Sequence, residues 1–450
     1  MSISTFVGIQ TSLRGLLAQQ RALDVTSHNI ANANTAGYSR QEATLSATTP
    51  LAVPANGLAA GGALGTGVDV QTYRRVRDQF LDLQYRGQSM SLGEQSARSD
   101  ALQQVELSFS EPGDNGIATA LNQFWSAWAD VANGPESGAA RQALVDKART
   151  LAQQINDLQA NLAGARTRAG AEYGQLTAPG GEVNRMATDL ASTLNAIRDA
   201  EMTGAQPNDL YDRRDLLLDQ LSSMGQVSVS QSPAGSVDVS LGGVRIVEAD
   251  DTTGVASVPA GAFPPAFPAS PGGRLGALLD LQSSTGPIAS YQADLDAAAQ
   301  SLTDSVNGIY GATGVNFFTY GPGASGLPEL QLNEPAISAA SVRGGTGGPA
   351  DNTLALAIER LRGGDADQRY AQLVTRMGNE VAQAQRSEAT AQALTDNLKD
   401  RRESISGVSL DEEMTNIIRF QRAYQASARA MSTTDEMLDT LINRAGKVGL

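Results

Sequence analysis

Few side chains in this sequence could do chemistry. Of 450 residues one is histidine, His28, and none is cysteine. Thiolate and two-histidine metal centres, iron-sulfur clusters, disulfides and cysteine nucleophiles are therefore excluded, and any hydrolase with an imidazole base would have to place it at His28. His28 sits in Ser27-His28-Asn29 with no second such ligand nearby and reads as a solvated or interface side chain. The carboxylates Asp411, Glu412 and Glu413 could serve acid-base work, yet they fall in the first turn of a helix, where negative charge complements the dipole. The glycine-rich stretches Gly57 to Gly67 and Gly321 to Gly326 lack the Lys-Ser or Lys-Thr of a phosphate loop, and Gly446-Lys447 is followed by Val448. No pair of carboxylates outside helix faces suggests the separation of about 5 to 9.5 Å that a glycosidase needs. No catalytic residue, cofactor or metal is expected.

Charge and hydropathy narrow the partners. The 48 acidic residues exceed the 33 basic ones for a formal charge of -15, the wrong sign for a surface that displaces counterions from phosphates, so no nucleic acid is expected. The opening MSISTFVGIQTSLRGLLAQQ has no basic leader and no apolar run of signal-peptide length, and no stretch reaches the roughly 18 apolar residues of a membrane span. Neither conventional secretion nor membrane insertion is expected. Lysine occurs only at Lys147, Lys399 and Lys447; compositional drift accounts for this, or a preference for planar arginine forks in ion pairs between subunits.

The elements that would position any function are mostly helices. Phe6, Ile9, Leu13, Leu16, Gln20, Leu23, Ser27 and Ile30 alternate by three and four, a heptad seam that ends at Asn32, Asn34 and Gly37. Leu410, Met414, Ile417, Gln421, Tyr424, Ala428, Met431, Leu438 and Ile442 repeat the register at the other end, behind a capping box of Ser409 and Glu412. Pairing of the two within one chain and packing between chains fit this pattern equally.

Between them, apolar faces run through Ile117, Leu121, Phe124, Trp125, Trp128 and Val131, opened by Asp114 and closed at Asn133-Gly134-Pro135. Others run through Leu144 to Leu162, Val183 to Ile197, Ile288 to Ile309 and Tyr370 to Leu398. Period two replaces them at Val227 and Val229, Val237 to Leu241, and Val244 to Val247, with Gly242-Gly243 between runs. The fold class expected is mainly α: a long helical rod or bundle, a terminal coiled coil of N- and C-terminal helices, and a small inserted β-rich domain. The boundaries read as a terminal coiled coil in 1–45 and 405–450 and a rod in 46–225 and 286–404, with loops or hairpins near 46–89 and 311–352. The β-rich outer domain reads as 226–285.

The run ALDVTSHNIANANTAGYSRQ, Ala22 to Gln41, resembles the N-terminal signature of bacterial flagellar rod, hook and hook-associated proteins. Its ending, Gly37-Tyr38-Ser39-Arg40-Gln41, is most similar to hook-associated members at the hook-filament junction. VSLDEEMTNIIRFQRAYQASARAMSTTDEMLDTLIN from Val408, NDLYDRRDLLLDQLSSMGQVSV from Asn208 and GGRLGALLDL from Gly272 resemble the same members. The resemblance implies a non-enzymatic subunit exported unfolded by the flagellar type III apparatus and located outside the cell at the junction. Its implied partners are copies of itself in a ring, the hook protein, the adjoining hook-associated protein and filament, and an export chaperone. It implies that terminal helices form an inner tube wall, with assembly contacts at Phe6, Ile9, Leu13, Leu16, Leu23, Ile30, Asn32, Asn34, Gly37, Tyr38, Leu410, Met414, Ile417, Tyr424, Met431, Leu438 and Ile442. A hook or rod subunit is the alternative within the family; a wall-degrading enzyme or a cytosolic coiled-coil adaptor is the alternative outside it.

Overall fold

The computed structural model describes residues 7–53, 62–231, 237–259, 270–323 and 326–440. Helix α1 (Val7–Ala31) comes first. Strands β1 (Gln41–Ala47), β2 (Leu51–Val53), β3 (Gly62–Leu64) and β4 (Val68–Arg75) then run out and back, β1 against β4 and β2 against β3, both antiparallel. The rod begins with α2 (Gln79–Phe109), α3 (Ile117–Asn133), α4 (Gly138–Thr177), α5 (Glu182–Met202) and α6 (Asn208–Met224). A meander of β5 (Val227–Gln231), β6 (Val237–Leu241), β7 (Val244–Ala249) and β8 (Ala256–Ser257) interrupts it. Helices α7 (Gly273–Gln282) and α8 (Pro287–Tyr310), the hairpin of β9 (Phe318–Pro322) and β10 (Pro328–Leu332), and α9 (Thr353–Glu359) lead to α10 (Asp365–Ser406) and α11 (Leu410–Asp439).

The rod is organised by large side chains at helical spacing. Ile117, Leu121, Phe124, Trp125, Trp128 and Val131 line one face of α3 and are all buried, as a 3.6-residue period requires of a helix lying on a core. Phe124 and Trp128 pack on Tyr310, Phe317 and Phe318 at centroid distances of 5.2 to 6.1 Å. Leu144, Leu151, Ile155, Leu158 and Leu162 of α4, and Leu190 and Leu194 of α5, pack into the same core. Asp114 does not open α3, as the sequence suggests: Gly116 is its N-cap, and Glu111 Oε1 reaches forward to accept from the Ala118 amide at 2.9 Å. Leu394 on the distal half of α10 is exposed, because that half of the helix leaves the core and runs alongside α2.

The β-rich stretch is shorter than 226–285. The meander ends at β8, and the chain from Gly273 is rod helix α7, whose Leu275, Leu278 and Leu281 are buried. Gly242 and Gly243, with φ of 55° and 81°, make the tight turn between β6 and β7. The meander leaves and rejoins the rod at one neck, where the Gln226 amide donates to Pro271 O at 2.7 Å. A Cβ on Gly273 would stand 2.6 Å from the Met224 carbonyl carbon, so the neck closes only on glycine. The segment 46–89 likewise divides. Asp78 caps α2 through hydrogen bonds to the Phe80 and Leu81 amides, and the β1–β4 hairpin before it packs on α1.

Helices α1 and α11 pair antiparallel within the chain, along a line displaced from the heptad expected. The inner residues of α1 are Gly8, Gly15, Ala18, Ala22, Thr26 and Asn29; a Cβ on Gly15 would stand 3.2 Å from Ser427 Oγ, and one on Gly8 3.3 Å from Thr434 Cγ2. Small residues bring the backbones together, and the larger Ile9, Leu16, Leu23 and Ile30 flank the seam half-buried. Leu13 remains 42% exposed. The β1–β4 hairpin covers part of the other side of α1: Arg21 pairs with Asp69 at 3.3 Å and Arg14 donates to Thr66 O at 3.1 Å.

Because the neck closes on itself, joining Gln226 directly to Pro271 is expected to leave the rod helices folded. The thermal midpoint should fall, since α5 loses its cover and Asn195 loses both hydrogen bonds to Ala256. Helical circular dichroism that collapses in this deletion would show that the meander is part of the rod's folding unit.

Candidate functional site

The signature residues meet where the terminal helices join the rod. Asn29, in the last turns of α1, is 1% exposed. Its Nδ2 donates to Gln41 O at 3.0 Å and to Glu413 Oε2 at 3.2 Å, while its Oδ1 accepts from the Gln41 amide at 3.0 Å and from Tyr38 Oη at 2.8 Å. One buried amide thus satisfies all four of its bonds and ties α1 to β1 and α11.

The turn that makes this possible is local. Asn32 bonds its amide and its side chain back to His28 O at 3.1 Å, ending the helix. Gly37 has φ of 79° and lies against Leu216, a place and a conformation suited to a residue without Cβ. His28 lies 3.3 Å from Asp209 Oδ1 and edge-on to Tyr38 at 5.6 Å. The chain then enters a set of rod contacts. Ser39 donates its amide and hydroxyl to Asp212 at 3.0 and 2.7 Å, Gln41 Nε2 donates to Asp209 at 2.8 Å, and Asn208 donates to Gln41 Oε1 at 3.2 Å and to Tyr73 O at 2.9 Å. Arg40 bridges Glu42 at 2.8 Å and Glu412 at 2.7 Å.

Electrostatics fix the protonation of Tyr38 and Glu42. Burial, then Asp209, Asp212 and Glu413, push the Tyr38 phenol well above its ordinary range, so it stays a donor to Asn29. The hydrogen bond from Arg40, aided by Arg74, outweighs burial and holds the Glu42 carboxyl below its usual range. The arrangement is a joint: its bonds tie α1, β1 and α11 to one another and to α6 of the rod.

Of the residues expected at an assembly interface, Tyr38 and Asn32 lie in this joint, and Asn34 and Gly37 are exposed beside it. Leu410 and Met414 are exposed at 53% and 57%; Ile417, Tyr424, Met431 and Leu438 are half-buried on α11. Phe6 and Ile442 lie outside the described residues. Asn29, Ser39, Asn208, Asp209, Asp212 and Glu413 are the joint residues that spacing alone missed. Glu413 in particular is buried and bonded to Asn29 instead of merely complementing a helix dipole. The signal for it is its place one turn before Ile417 and two turns before Phe420 on the same face of α11.

Asn29→Ala would leave Glu413, Tyr38 and the Gln41 backbone short of partners and is expected to cost about 2 to 3 kcal/mol of local stability. Amide exchange should accelerate in α1, β1 and the start of α11 and stay unchanged in α3. For Glu42, whose folded pKa is lowered, the contribution is present above the ordinary carboxylate range and is lost as pH falls through the lowered value. Glu42→Gln should flatten that acid limb of the exchange profile; an unaltered limb would place the pH dependence elsewhere.

Comparison with known proteins bears on what the joint serves. A family model described as "Flagellar hook-associated protein FlgK helical domain" matches residues 102–318, from the end of α2 through the meander to the start of β9. Models described as "Flagella basal body rod protein" and "Flagellar basal body rod FlgEFG protein C-terminal" match 9–38 and 402–444, which contain most of α1 and α11. The chain is similar to "Flagellar hook-associated protein 1" of Bacillus subtilis, 32% identical over 99% of both chains, and to that of Escherichia coli, 26% identical over 97% of this chain and 99% of that one. A solved structure of the flagellar hook junction protein FlgK from Burkholderia pseudomallei is 24% identical, covers 53% of this chain and 47% of its own, and superposes with a TM-score of 0.44. With a relative this similar along its whole length, the chain belongs to the flagellar hook-associated protein 1 family.

Proposed function

We propose that this chain is a non-enzymatic structural subunit of the bacterial flagellum, located outside the cell where hook meets filament, which polymerises through its terminal helices. Its partners are copies of itself in a ring, the hook protein on one side, and the adjoining hook-associated protein and filament on the other. It reaches that place unfolded through the flagellar type III apparatus, with an export chaperone. The full-length relatives named as hook-associated proteins support this reading over a hook or rod subunit, as does the helical-domain match through residues 102–318.

One observation carries the assembly role. The α1–α11 pair forms through Gly8, Gly15, Ala18 and Ala22, which leaves larger apolar side chains facing outward: Leu13, Leu17, Leu410, Met414, Ile418 and Met437 are 42 to 64% exposed. A two-helix pair with so little apolar burial in its seam is weak alone. Neighbouring copies that cover the outward faces supply the missing burial, at roughly 25 cal/mol per Å².

Leu17→Glu and Ile418→Glu test this, because both positions are exposed in the single chain. Each should change the monomer's stability by less than about 0.5 kcal/mol, yet place an unpaired carboxylate in the assembled wall. Cells carrying either variant should build hooks and shed filament subunits into the medium. Normal filaments containing the variant protein at wild-type amounts would refute the wall role, and an antibody that labels the length of the hook instead of its distal boundary would return the hook-subunit reading.

A further inference from the structure

Two connections cross from the terminal helices and their hairpin to the rod, β4 to α2 and α10 to α11, and the turn from α1 to β1 passes beside them. They cross at one place. The Arg40 amide donates to Ser406 O at 2.8 Å, and the Val76 amide donates to Arg40 O at 2.8 Å, so all three passing backbones are joined in a row.

Directly beneath that row the rod end is held together by charge. Arg75 Nη1 lies 2.9 Å from both Asp212 and Asp215. Arg77 reaches Asp82 at 2.9 Å and Asp215 at 3.1 Å. Arg86 reaches Asp219 at 2.7 Å, and Arg214 reaches Asp215 at 2.8 Å. Arg402, near the end of α10, closes the set on Asp82 at 2.9 Å and Asp219 at 2.8 Å. Five arginines and four aspartates from β4, the linker after it, α2, α6 and α10 thus share one partly dry cluster, and the Asp215 side chain is only 7% exposed. Arg75 and Arg214 also stack on Tyr211 at 5.1 and 5.3 Å, and Arg402 on Tyr85 at 4.4 Å. Burial opposes the Asp215 charge, but Arg214, Arg77 and Arg75 more than reverse this and hold its carboxyl below the usual range.

On α6 the cluster is backed by buried Leu217, Leu218 and Leu221, but along α2 and α10 apolar packing does not continue it. The buried residues of α2 between the cluster and Leu102 are Ser89 and Ser99, and those of α10 beyond Ala384 are Ala391 and Thr395. Dispersion and hydrophobic burial change gradually as surfaces slide, whereas a set of shared ion pairs is lost together: opening one pair leaves its charge uncompensated in low dielectric and weakens the next.

We infer that this arginine-aspartate cluster is a latch on a hinge, which fixes the terminal helices at one angle to the rod and releases as a unit, giving the subunit a latched and a swung state while the rod core stays folded. The row of three backbones is the hinge line; the charges, through Arg75 of the hairpin, set the angle together with the bonds from Ser39 to Asp212 and from Gln41 to Asp209. This holds for the chain by itself and does not depend on its role at the hook-filament junction.

Spin-label distances in the full-length chain test the latch, and the absence of native cysteine makes every introduced label unique. Exposed Gln425→Cys on α11 with Ala160→Cys on α4 spans the hinge, and Ala160→Cys with Thr375→Cys lies within the rod. The spanning pair should give one narrow distance. Asp215→Asn should replace it by a broad distribution, as should the more peripheral Arg402→Gln, with the rod pair unchanged in both. Removing Arg214 as well, in Asp215→Asn with Arg214→Gln, restores the original charge excess and should narrow the distribution again. Any of three results would overturn the latch: a spanning distance that stays narrow in both single variants, a rod pair that broadens with it, or a double variant at least as broad as Asp215→Asn.

Discussion

Asn29 holds four hydrogen bonds out of reach of water, and the register of the terminal helices follows from where those bonds are. A seam of glycine, alanine, serine and threonine contains no knob large enough to resist sliding by a turn. The Asn29–Glu413 contact, Gly15 against Ser427 and Gly8 against Thr434 are separated by whole heptads on both helices. The buried amide therefore acts as a polar residue does in a coiled coil: it contributes little net stability but penalises every other alignment, because a slipped helix leaves Glu413 buried without its donor. From that fixed point Tyr38, Ser39 and Gln41 carry the alignment into the rod through Asp209 and Asp212.

The two halves of the molecule are stabilised by different physics. The rod has an aromatic and aliphatic core around Trp128 that is complete within one chain, so it can fold without partners. The terminal pair has polar specificity and very little apolar burial, so it depends on what covers it. Under the assembly proposed above, such a division withholds hydrophobic driving force from the single chain and leaves it to form between chains.

How much of this was legible in the sequence depended on side-chain size. The rod faces could be read because Phe124, Trp125, Trp128 and Leu144 to Leu162 are large and recur at helical spacing, and the meander because Val237 to Leu241 and Val244 to Val247 alternate around Gly242-Gly243. The seam was misplaced because a search for apolar periodicity follows Leu13 and Leu16, and Gly15, Ala18 and Ala22 carry almost no hydropathic signal even though they are what touches. The joint was legible only as a resembling string. Asn29 and Glu413 are 384 positions apart, and no local pattern says that a polar residue near a helix end will be buried against another so distant.

The neck at Gln226 and Pro271 gives the molecule a port. Two chain ends held within a hydrogen bond of each other can accept a compact domain whose own termini are adjacent, and the loop entropy of that replacement is nearly independent of the guest's size. Helices α6 and α7 see the same pair of backbones whatever lies beyond. A foreign domain placed there would be carried once per chain, so that in the ring proposed above the cargo spacing would be set by the symmetry of the assembly and not by the cargo.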